Sequence, residues 1–314
     1  MQISIVIPVL NEEQSLLLLY DEIVEHTKEY EYEIIFVDDG SVDNSFEVLK
    51  SIADKSMNVK VIRFRRNFGK SAALNIGFKS TLGNIIITMD ADLQDDASAI
   101  PCLIKKICEG WDVVTGWKKK RNDPITKTFP SKVFNTVTSL MFKTKLHDYN
   151  CGFKAYKKEV INEIDVYGEM HRYIPALVIA KGFTVTEIVV NHRARKFGVS
   201  KFGYERYLRG YLDLLTVKLV TEFNRSPLYL FGGVGSILLG SGLLIGLYLT
   251  FMRVFMHVFL SNRPILFLAI LLIIVGLQFI SIGLVGELLV SQTRKINRGD
   301  SVSIKETINV KEIR

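Results

Sequence analysis

Acidic residues follow three separate apolar runs in the N-terminal part of the chain. Glu12 comes just after the first run, Asp38 and Asp39 end the second, and Asp90 and Asp92 end a third. Asp90 and Asp92 are two residues apart, so in an extended segment their side chains point to the same side. Crowded carboxylates are costly unless a cation or hydrogen-bond donors compensate. Hard oxygen ligands suit Mg²⁺ or Mn²⁺, which often bridge a carboxylate to substrate phosphates.

An isolated Asp-x-Asp is a weak signal, because surface turns contain it often. Its position at the end of a strand, beside a second acidic strand end, makes it more informative. The chain has no GxGxxG after the first apolar run and no GxxxxGK[ST], so it lacks two glycine-rich phosphate-binding loops. Metal and basic side chains are therefore expected to hold any phosphate.

The cysteines and the net charge exclude several classes. Cys102, Cys108 and Cys151 form no CxxC pair, which argues against a disulfide scaffold and a cysteine-based zinc site. The net charge of +7 suits a nucleic acid, an anionic membrane surface or a phosphorylated substrate. Nucleic-acid binding would need basic groups interleaved with aromatic residues, and we expect no nucleic-acid partner.

Residues 1–120 alternate between two patterns that predict an α/β fold. Buried strands are expected at Ile3–Val9, Glu33–Val37, Val59–Phe64, Ile85–Met89 and Asp112–Thr115. Helices are expected over about 12–29, 43–56, 69–81 and 97–109. This alternation predicts a parallel sheet with helices on both faces. Ligands in such sheets bind beyond the carboxyl ends of the strands, so the acidic residues should meet there.

The C-terminal part is apolar. Uncharged runs extend from Leu228 to Met252 and from Pro264 to Gly286, and as helices each can cross a hydrocarbon core of ~30 Å. We therefore expect two transmembrane helices within 227–290, at about 228–252 and 264–290. Glycines crowd the first run, which allows the spans to pack together or against another subunit, so a homo-oligomer is compatible with the sequence.

Charge predicts the orientation of these spans. The tail, 291–314, is rich in lysine and arginine, and the positive-inside rule places it in the cytoplasm. Two spans then put the expected N-terminal domain, 1–203, on the same side of the cell membrane. Amphipathic patterns at 131–146 and 204–226 are typical of interfacial helices, with packing against the soluble domain as the alternative.

Several motifs together resemble one known family. PVLNE, VDDGS, RNFGKSAALNIGF and DADLQD resemble the inverting family 2 nucleotide-sugar glycosyltransferases. HDYNCGFKAY and RKFGVSKFG are similar to the polyprenyl-phosphate (dolichol- or undecaprenyl-phosphate) sugar synthase branch. The resemblance covers about 1–225. It implies a Rossmann-like A-type nucleotide-sugar domain with a mostly parallel sheet, followed by the juxtamembrane helix and the two spans.

The resemblance also implies roles for individual residues. The nucleotide pocket would be lined by Pro8, Leu10, Glu12, Val37 and Asp39. The sugar-nucleotide would be held by Asp90, Ala91 and Asp92. The metal, Mg²⁺ or Mn²⁺, would be bound by Asp90, Asp92 and Gln94. Phosphates would face Lys118, Arg195 and Lys201. Leu10 stands where relatives often have Tyr. Lys118 stands where relatives often have Arg, and a lysine there keeps the positive charge but cannot form a bidentate hydrogen bond.

The catalytic candidates are Asp92, Asp95, Asp148 and Arg195. Asp148 is expected near the acceptor by its place in the family, and a turn-capping role is the alternative. Ordinary alcohol acceptors need a general base, whereas a phosphate monoester is largely dianionic at pH 7. A lipid phosphate would therefore need no strong base. Catalysis would depend on alignment and on neutralising the departing diphosphate by metal, Lys118 and Arg195.

These observations predict a membrane-anchored, metal-dependent inverting glycosyltransferase. It would move a hexose, such as mannose or glucose, from a nucleoside diphosphate sugar to a polyprenyl phosphate. A processive polysaccharide synthase is one alternative, although the chain has no QxxRW motif and only two expected spans. A family 2 transferase with another acceptor and a non-catalytic membrane adaptor are the others.

Overall fold

The structure of the protein is a computed structural model. It describes residues 2–119, 139, 146–164, 166, 168, 170–194, 227–257, 259, 264–293 and 304–309. These residues belong to two compact units, an α/β unit and a pair of long apolar helices. The amphipathic segment expected at 204–226, and 131–146 except for residues 139 and 146, lie outside the described residues.

The strands of the α/β unit form one sheet. They are β1 (Gln2–Val9), β2 (Glu31–Asp38), β3 (Val59–Phe64), β4 (Ile85–Thr88), β5 (Val113–Trp117), β6 (Lys154–Lys157), β7 (Val185–Val189) and β8 (Ile304–Ile308). Their order across the sheet is β7-β5-β6-β4-β1-β2-β3-β8. Pairs within β4-β1-β2-β3 are parallel, whereas β6 and β8 pair antiparallel to their neighbours. The expected mostly parallel sheet is confirmed.

Helices connect the strands and cover the sheet. In the α/β unit they are α1 (Leu16–Thr27), α2 (Ser45–Lys55), α3 (Lys70–Lys79), α4 (Ile100–Cys108), α5 (Lys158–Glu163) and α6 (Ile174–Ala180). Short 3₁₀ turns at Ala97–Ala99 and Met170–Tyr173 precede α4 and α6. Leu16, Leu19 and Ile23 recur at helical spacing on the buried side of α1, as the hydrophobic periodicity requires.

The strands β1, β2 and β4 are buried over most of their length, which explains their largely apolar sequences. Ile5 and Ile34 are fully buried partners in the parallel register of β1 and β2. Ile5 also pairs with Ile87 of β4. This core fixes the three strand ends at one edge.

The last strand, β8, comes from the segment expected as a tail. It pairs antiparallel to β3, with Val61 opposite Ile308. Ile308 packs against the hydrophobic core. The Asn309 side-chain amide donates to the carbonyl oxygens of Ala53 and Val59, at 3.3 and 3.0 Å. The strand thus covers an edge of the sheet that would otherwise leave backbone groups unpaired.

The second unit is a helical hairpin of α7 (Pro227–Phe255) and α8 (Pro264–Thr293). Both helices are long and apolar enough to cross a membrane. Glycines lie where the helices touch: a Cβ on Gly276 would stand 2.6 Å from the backbone nitrogen of Leu239, and one on Gly235 2.7 Å from the carbonyl oxygen of Gly276. Small residues therefore let the two backbones approach, as in close-packed membrane helices.

Candidate active site

The acidic strand ends meet at one edge of the sheet. Because β4, β1 and β2 are adjacent and parallel, the residues that follow them lie beside one another. We call the part formed by Asp38, Asp39 and the segment 66–69 the β2 side. The part formed by residues 90–96 is the β4 side. The expected convergence of the acidic strand ends follows from this topology.

On the β2 side, backbone amides hold Asp39. Its carboxylate accepts hydrogen bonds from the N–H groups of Phe68 at 2.6 Å and Gly69 at 2.9 Å. Its own N–H donates to the carbonyl oxygen of Val9 at 2.8 Å. Burial raises the pKa of Asp39 above its usual value, although the two N–H donors act in the opposite direction. Asp39 is therefore fixed between the end of β1 and the start of α3.

The neighbouring carboxylate, Asp38, has a local structural role. It is fully buried, lies 3.3 Å from the Nε of Arg63 and accepts the N–H of Ser41 at 2.9 Å. The Ser41 hydroxyl in turn accepts the N–H of Asn11 at 2.9 Å. The loops after β1 and β2 are thereby joined, and the Glu12 N–H donates to Ser45 Oγ at 2.8 Å as part of the same junction.

The remaining residues expected in the nucleotide pocket lie at this junction. Pro8 pairs with Val37 in the register of β1 and β2. Val37 is fully buried, whereas Pro8, Leu10 and Glu12 are partly exposed. Among the expected pocket residues, Pro8, Leu10 and Glu12 therefore have side chains partly open to a ligand, whereas Val37 and Asp39 are buried.

On the β4 side, burial alternates along the turn. Ala91 and Leu93 are buried in the core, and Asp90, Asp92 and Gln94 between them are partly exposed. Leu93 adopts φ 59°, a left-handed conformation that L residues seldom adopt. The Gln94 N–H donates to Asp92 Oδ1 at 3.2 Å. Two apolar side chains anchor the turn, and the three oxygen-bearing side chains are left outside the core.

Asp90 is paired with Lys70, the first residue of α3. Its Oδ1 lies 2.5 Å from Lys70 Nζ, and about a third of each side chain is exposed. Burial raises the pKa of Asp90, but Lys70 and Lys118 outweigh this effect and lower the pKa to about 2. Gly152 faces this carboxylate, and a Cβ there would stand 2.7 Å from it. Asp90 therefore stays ionised, in a space that a glycine leaves open.

Asp95 is more deeply enclosed. It is fully buried, and its Oδ1 lies 2.8 Å from the Nζ of Lys118. Burial lowers the pKa of Lys118, but Asp95 reverses this effect and the net pKa is raised. Lys118 is thus a charged, mostly buried partner of Asp95. This pairing favours a charge-neutralising role for Asp95 over that of a general base.

Asp148 is the second residue of the HDYNCG segment and is buried. Its Oδ1 accepts the N–H of Asn150 at 3.1 Å, and its own N–H donates to Glu187 at 3.0 Å. Nearby, the buried Lys154 donates its ammonium to the carbonyl oxygen of Cys151. The hydrogen bond from Asn150 to Asp148 forms an Asx turn, which is the turn-capping role given as the alternative above. Asp148 therefore has a structural function whether or not it contacts an acceptor.

Two charged residues of this site, Lys70 and Arg193, were not singled out by sequence reasoning. Lys70 pairs with Asp90, and His171 contacts the Ser71 hydroxyl at 2.9 Å, next to Lys70 in α3. Arg193 pairs with Glu22 and Asp96. Lys70 stands in the RNFGKSAALNIGF motif, which singled out its segment but not its partner. Arg195 and Lys201, both expected at phosphates, lie outside the described residues.

The oxygen donors of the β4 side fit a divalent ion whose remaining coordination positions are filled by a bound ligand. Within the described part of the chain, no three His, Cys, Asp or Glu side chains are grouped to hold a metal by themselves. Asp90 and Asp92 offer two carboxylates, and Gln94 offers an amide oxygen. Mg²⁺ is usually held by one or two carboxylates together with substrate phosphates. The donor set therefore suits a metal that arrives with a phosphorylated substrate.

Comparison with known proteins yields a family match. The model of the family described as Glycosyl transferase family 2 matches residues 4–165. A dodecaprenyl-phosphate galacturonate synthase from Rhizobium johnstonii is 34% identical over 296 residues, which covers 92% of this chain and 88% of that protein. An undecaprenyl-phosphate 4-deoxy-4-formamido-L-arabinose transferase from Pseudomonas fluorescens is 36% identical over 293 residues, covering 91% and 84%.

Solved structures share the fold of the α/β unit. Glucosyl-3-phosphoglycerate synthase from Mycobacterium tuberculosis, crystallised with Mn²⁺, UDP and phosphoglyceric acid, matches with a TM-score of 0.54. The match covers 70% of this chain and 78% of that one, at 17% identity. At this identity the likeness concerns the fold alone.

Proposed function

The chain belongs to glycosyl transferase family 2 and is a glycosyltransferase, and from that membership we propose that it transfers a sugar from a nucleoside diphosphate sugar to a polyprenyl phosphate with inversion. The observation that carries this proposal is the β4 side, where Asp90, Asp92 and Gln94 emerge at the same edge of the sheet as Asp39, with β1 between them. The names of the similar proteins, both polyprenyl-phosphate sugar transferases, support the acceptor class.

The β2 side is proposed to bind the nucleoside. Asp39 is held by two backbone N–H groups, so its orientation is set before a ligand arrives. An ionised carboxylate accepts hydrogen bonds from a ribose hydroxyl or a base N–H group. Pro8, Leu10, Glu12 and Val37 complete the proposed pocket around the end of β1. This preorganisation favours binding, because little ordering remains to be done.

The β4 side is proposed to hold the diphosphate through a divalent ion. Asp90, Asp92 and Gln94 are the proposed ligands, with Mg²⁺ and Mn²⁺ both suitable. The ion, when bound, would neutralise charge on the departing nucleoside diphosphate. Lys118, with Arg195 and Lys201 from the following basic segment, is proposed to add positive charge around the phosphates. Ala91 contributes the buried anchor between the two aspartates.

The acceptor chemistry needs little proton transfer from the protein. A phosphate monoester is largely dianionic at pH 7, so it can attack the anomeric carbon without a strong base. Asp95 and Asp148 are both engaged in the fold, the first with Lys118 and the second in its turn. We propose that these residues position the site and that alignment with the leaving diphosphate accounts for most of the rate.

The two long helices are proposed to anchor the enzyme where a lipid acceptor resides. In this proposal α7 and α8 cross the cell membrane, and 1–203 and 291–314 lie on the cytoplasmic side, as the basic tail indicates. The proposed domains are the catalytic domain over 1–203, the juxtamembrane helix over 204–226, the spans within 227–290 and the tail. The strand β8, at Ile304–Ile308, is the part of that tail that joins the catalytic sheet.

The sugar is proposed to be a hexose, with mannose and glucose as the first donors to test. Galacturonate and 4-deoxy-4-formamido-L-arabinose, the sugars in the names of two similar proteins, belong in the same screen. The protein purified in detergent with a polyprenyl phosphate and each labelled donor should release a small labelled lipid. Label in a polymer would favour a polysaccharide synthase, and no transfer from any donor would overturn the proposal.

The variant Asp92→Ala tests the proposed metal ligand. It should lower turnover by roughly 10²–10³-fold, the usual loss when one electrostatic stabiliser is removed. It should keep the fold, because Asp92 is partly exposed. Asp54→Ala, an exposed aspartate in α2, is the control and should retain turnover. Wild-type turnover and metal dependence in Asp92→Ala would remove the metal assignment.

A further inference from the structure

The acidic turn of the β4 side has few of the supports that regular structure provides. It lies between the end of β4 and the 3₁₀ turn at Ala97–Ala99, and Leu93 within it has a left-handed backbone. A turn of this kind keeps one shape only where its surroundings determine it. The segment that follows β7, residues 191–193, supplies these surroundings.

The backbone of this segment pairs with the turn. The Arg193 N–H donates to the carbonyl oxygen of Gln94 at 2.9 Å, and Asp95 and His192 form an antiparallel bridge. In return, the Gln94 side-chain Nε2 donates to the carbonyl oxygen of Arg193 at 3.4 Å. Gln94 is thus bound to Arg193 through both its main chain and its side chain.

The Arg193 guanidinium joins the turn to α1. Nη1 lies 2.9 Å from Glu22 Oε2 and Nη2 lies 2.8 Å from Asp96 Oδ1. Glu22 Oε1 also accepts the N–H of Ala97 at 3.1 Å. The Asn191 side chain donates to Asp96 Oδ2 at 3.3 Å. We call Glu22, Arg193 and Asp96 the arginine bracket; it ties three elements together at the point where the acidic turn ends.

These contacts determine which end of the Gln94 amide is available to a cation. A carbonyl oxygen can only accept, so Gln94 must present its NH₂ group to the Arg193 carbonyl. The amide oxygen, the atom that a hard cation prefers, is then the end that is not bound to Arg193. The main chain of Arg193 therefore orients a metal ligand without touching the metal, and the bracket holds that main chain against the turn, as groups behind the ligands of metal sites commonly do.

We propose that Arg193 is a positioning residue that sets the metal affinity of the acidic turn by holding Gln94 in its ligand geometry. The inference rests on the proposed function, since it takes the turn to be the metal site. Lysine cannot replace Arg193 fully, because a single ammonium does not provide a planar fork for two carboxylates from different elements.

The test measures Mn²⁺ binding directly. Binding of Mn²⁺ to the purified full-length protein, alone and with UDP or GDP, is followed by the loss of the free-ion electron paramagnetic resonance signal. Arg193→Met should weaken Mn²⁺ binding by about 10–100-fold, the usual effect of losing a group behind a metal ligand. Arg193→Lys should fall between Arg193→Met and wild type. Turnover of Arg193→Met should recover largely at saturating Mn²⁺.

Lys157→Met is the matched control. Lys157 forms a comparable ion pair with Asp112 at 2.7 Å, with 30% of its side chain exposed against 34% for Arg193. Both variants should lose similar thermal stability, but only Arg193→Met should lose Mn²⁺ affinity. Equal Mn²⁺ binding in the two variants would overturn the inference. If Arg193→Met does not fold, wild-type affinity in Arg193→Lys would overturn it instead.

A double-mutant cycle tests the route through Gln94. In a Gln94→Ala background, Arg193→Met should weaken Mn²⁺ binding much less than it does in the wild type, because the ligand it positions is gone. If Arg193→Met weakens Mn²⁺ binding equally in both backgrounds, the proposed action of Arg193 through Gln94 is overturned. The proposed function is judged separately, by whether the wild-type protein forms the labelled lipid, so the two can fail independently.

Discussion

The two sides of the active-site edge neutralise their carboxylates by different means. On the β2 side, backbone N–H groups of Phe68 and Gly69 bind Asp39. On the β4 side, lysine ammonium groups bind Asp90 and Asp95. Backbone donors at the start of a helix cannot withdraw without disturbing the helix, whereas an ammonium on a flexible chain can be exchanged for another cation. The β2 side is therefore preformed, whereas on the β4 side the partly exposed Lys70 could give way to the proposed metal ion at Asp90.

The largest effect is expected from breaking the buried pair of the β4 side. Asp95→Ala leaves the Lys118 ammonium buried without its partner and should lower the free energy of unfolding by about 3–5 kcal/mol. Glu109→Ala, which breaks the exposed pair with Lys106, should cost about 0–1 kcal/mol. Denaturant titration of both variants measures the difference. Similar losses would mean that Asp95 is not held by a buried charge pair.

Two glycines test whether the β2 side is bounded by rigid backbone and the β4 side by a movable side chain. On the β2 side, Gly40 has φ 74° and a Cβ there would meet the Arg66 carbonyl carbon at 2.5 Å. Gly40→Ala should therefore lower the free energy of unfolding by roughly 1–3 kcal/mol. On the β4 side, the three atoms nearest to a Cβ on Gly152 all belong to the Asp90 carboxylate, the end of a side chain that can rotate.

Gly152→Ala should accordingly change the melting temperature little but reduce transfer, because Asp90 is displaced. Thermal denaturation and product formation are measured on both variants. The comparison would be wrong if Gly152→Ala proved as destabilising as Gly40→Ala.

Lys70→Met tests the exchange of lysine for metal. Removing the ammonium that pairs with Asp90 leaves the carboxylate open to another cation, so Mn²⁺ binding without nucleotide should tighten by up to about fivefold. This corresponds to the small energy of a partly exposed ion pair. Lys106→Met, which breaks an exposed ion pair with Glu109, should leave Mn²⁺ binding unchanged. Weaker Mn²⁺ binding in Lys70→Met would show that the lysine supports the metal site.

The smallest effect is a difference in pH dependence. Asp39 has a raised pKa, whereas the pKa of Asp90 is about 2. As the pH falls, Asp39 gains a proton first and becomes a weaker acceptor for the nucleoside, while Asp90 stays ionised. As the pH is lowered, binding of UDP or GDP should therefore begin to weaken at a higher pH than that at which an exposed aspartate is protonated.

The same raised pKa has the opposite consequence for stability. Between the unfolded and folded pKa values the native state binds more protons than the unfolded chain, so Asp39 stabilises the fold as the pH falls through this range. Calorimetric titration of nucleotide at several pH values, with Asp39→Asn alongside, measures the binding effect. The Asp39→Asn profile should be flat, and an unchanged slope would assign the titration elsewhere.

Sequence patterns were sufficient for the elements and for the edge where they end. Strand and helix periodicity located β1 to β5 and α1 to α4, since each pattern depends on neighbours a few residues away. The short antiparallel strands were not predicted. Lys154–Lys157 is a four-residue strand with little periodicity, and Ile304–Ile308 pairs with β3, more than 200 residues away in sequence.

The sequence by itself determined that this is an α/β glycosyltransferase with acidic strand ends and two long apolar helices, because composition, local periodicity and short motifs are encoded in adjacent residues. Only the tertiary structure decided how the charges are paired: Lys70 with Asp90, Lys118 with Asp95, and Arg193 between Glu22 and Asp96. These partners are separated by tens to more than a hundred residues along the chain. Their pairing follows from the order of the strands and the close packing around them, which no local pattern specifies.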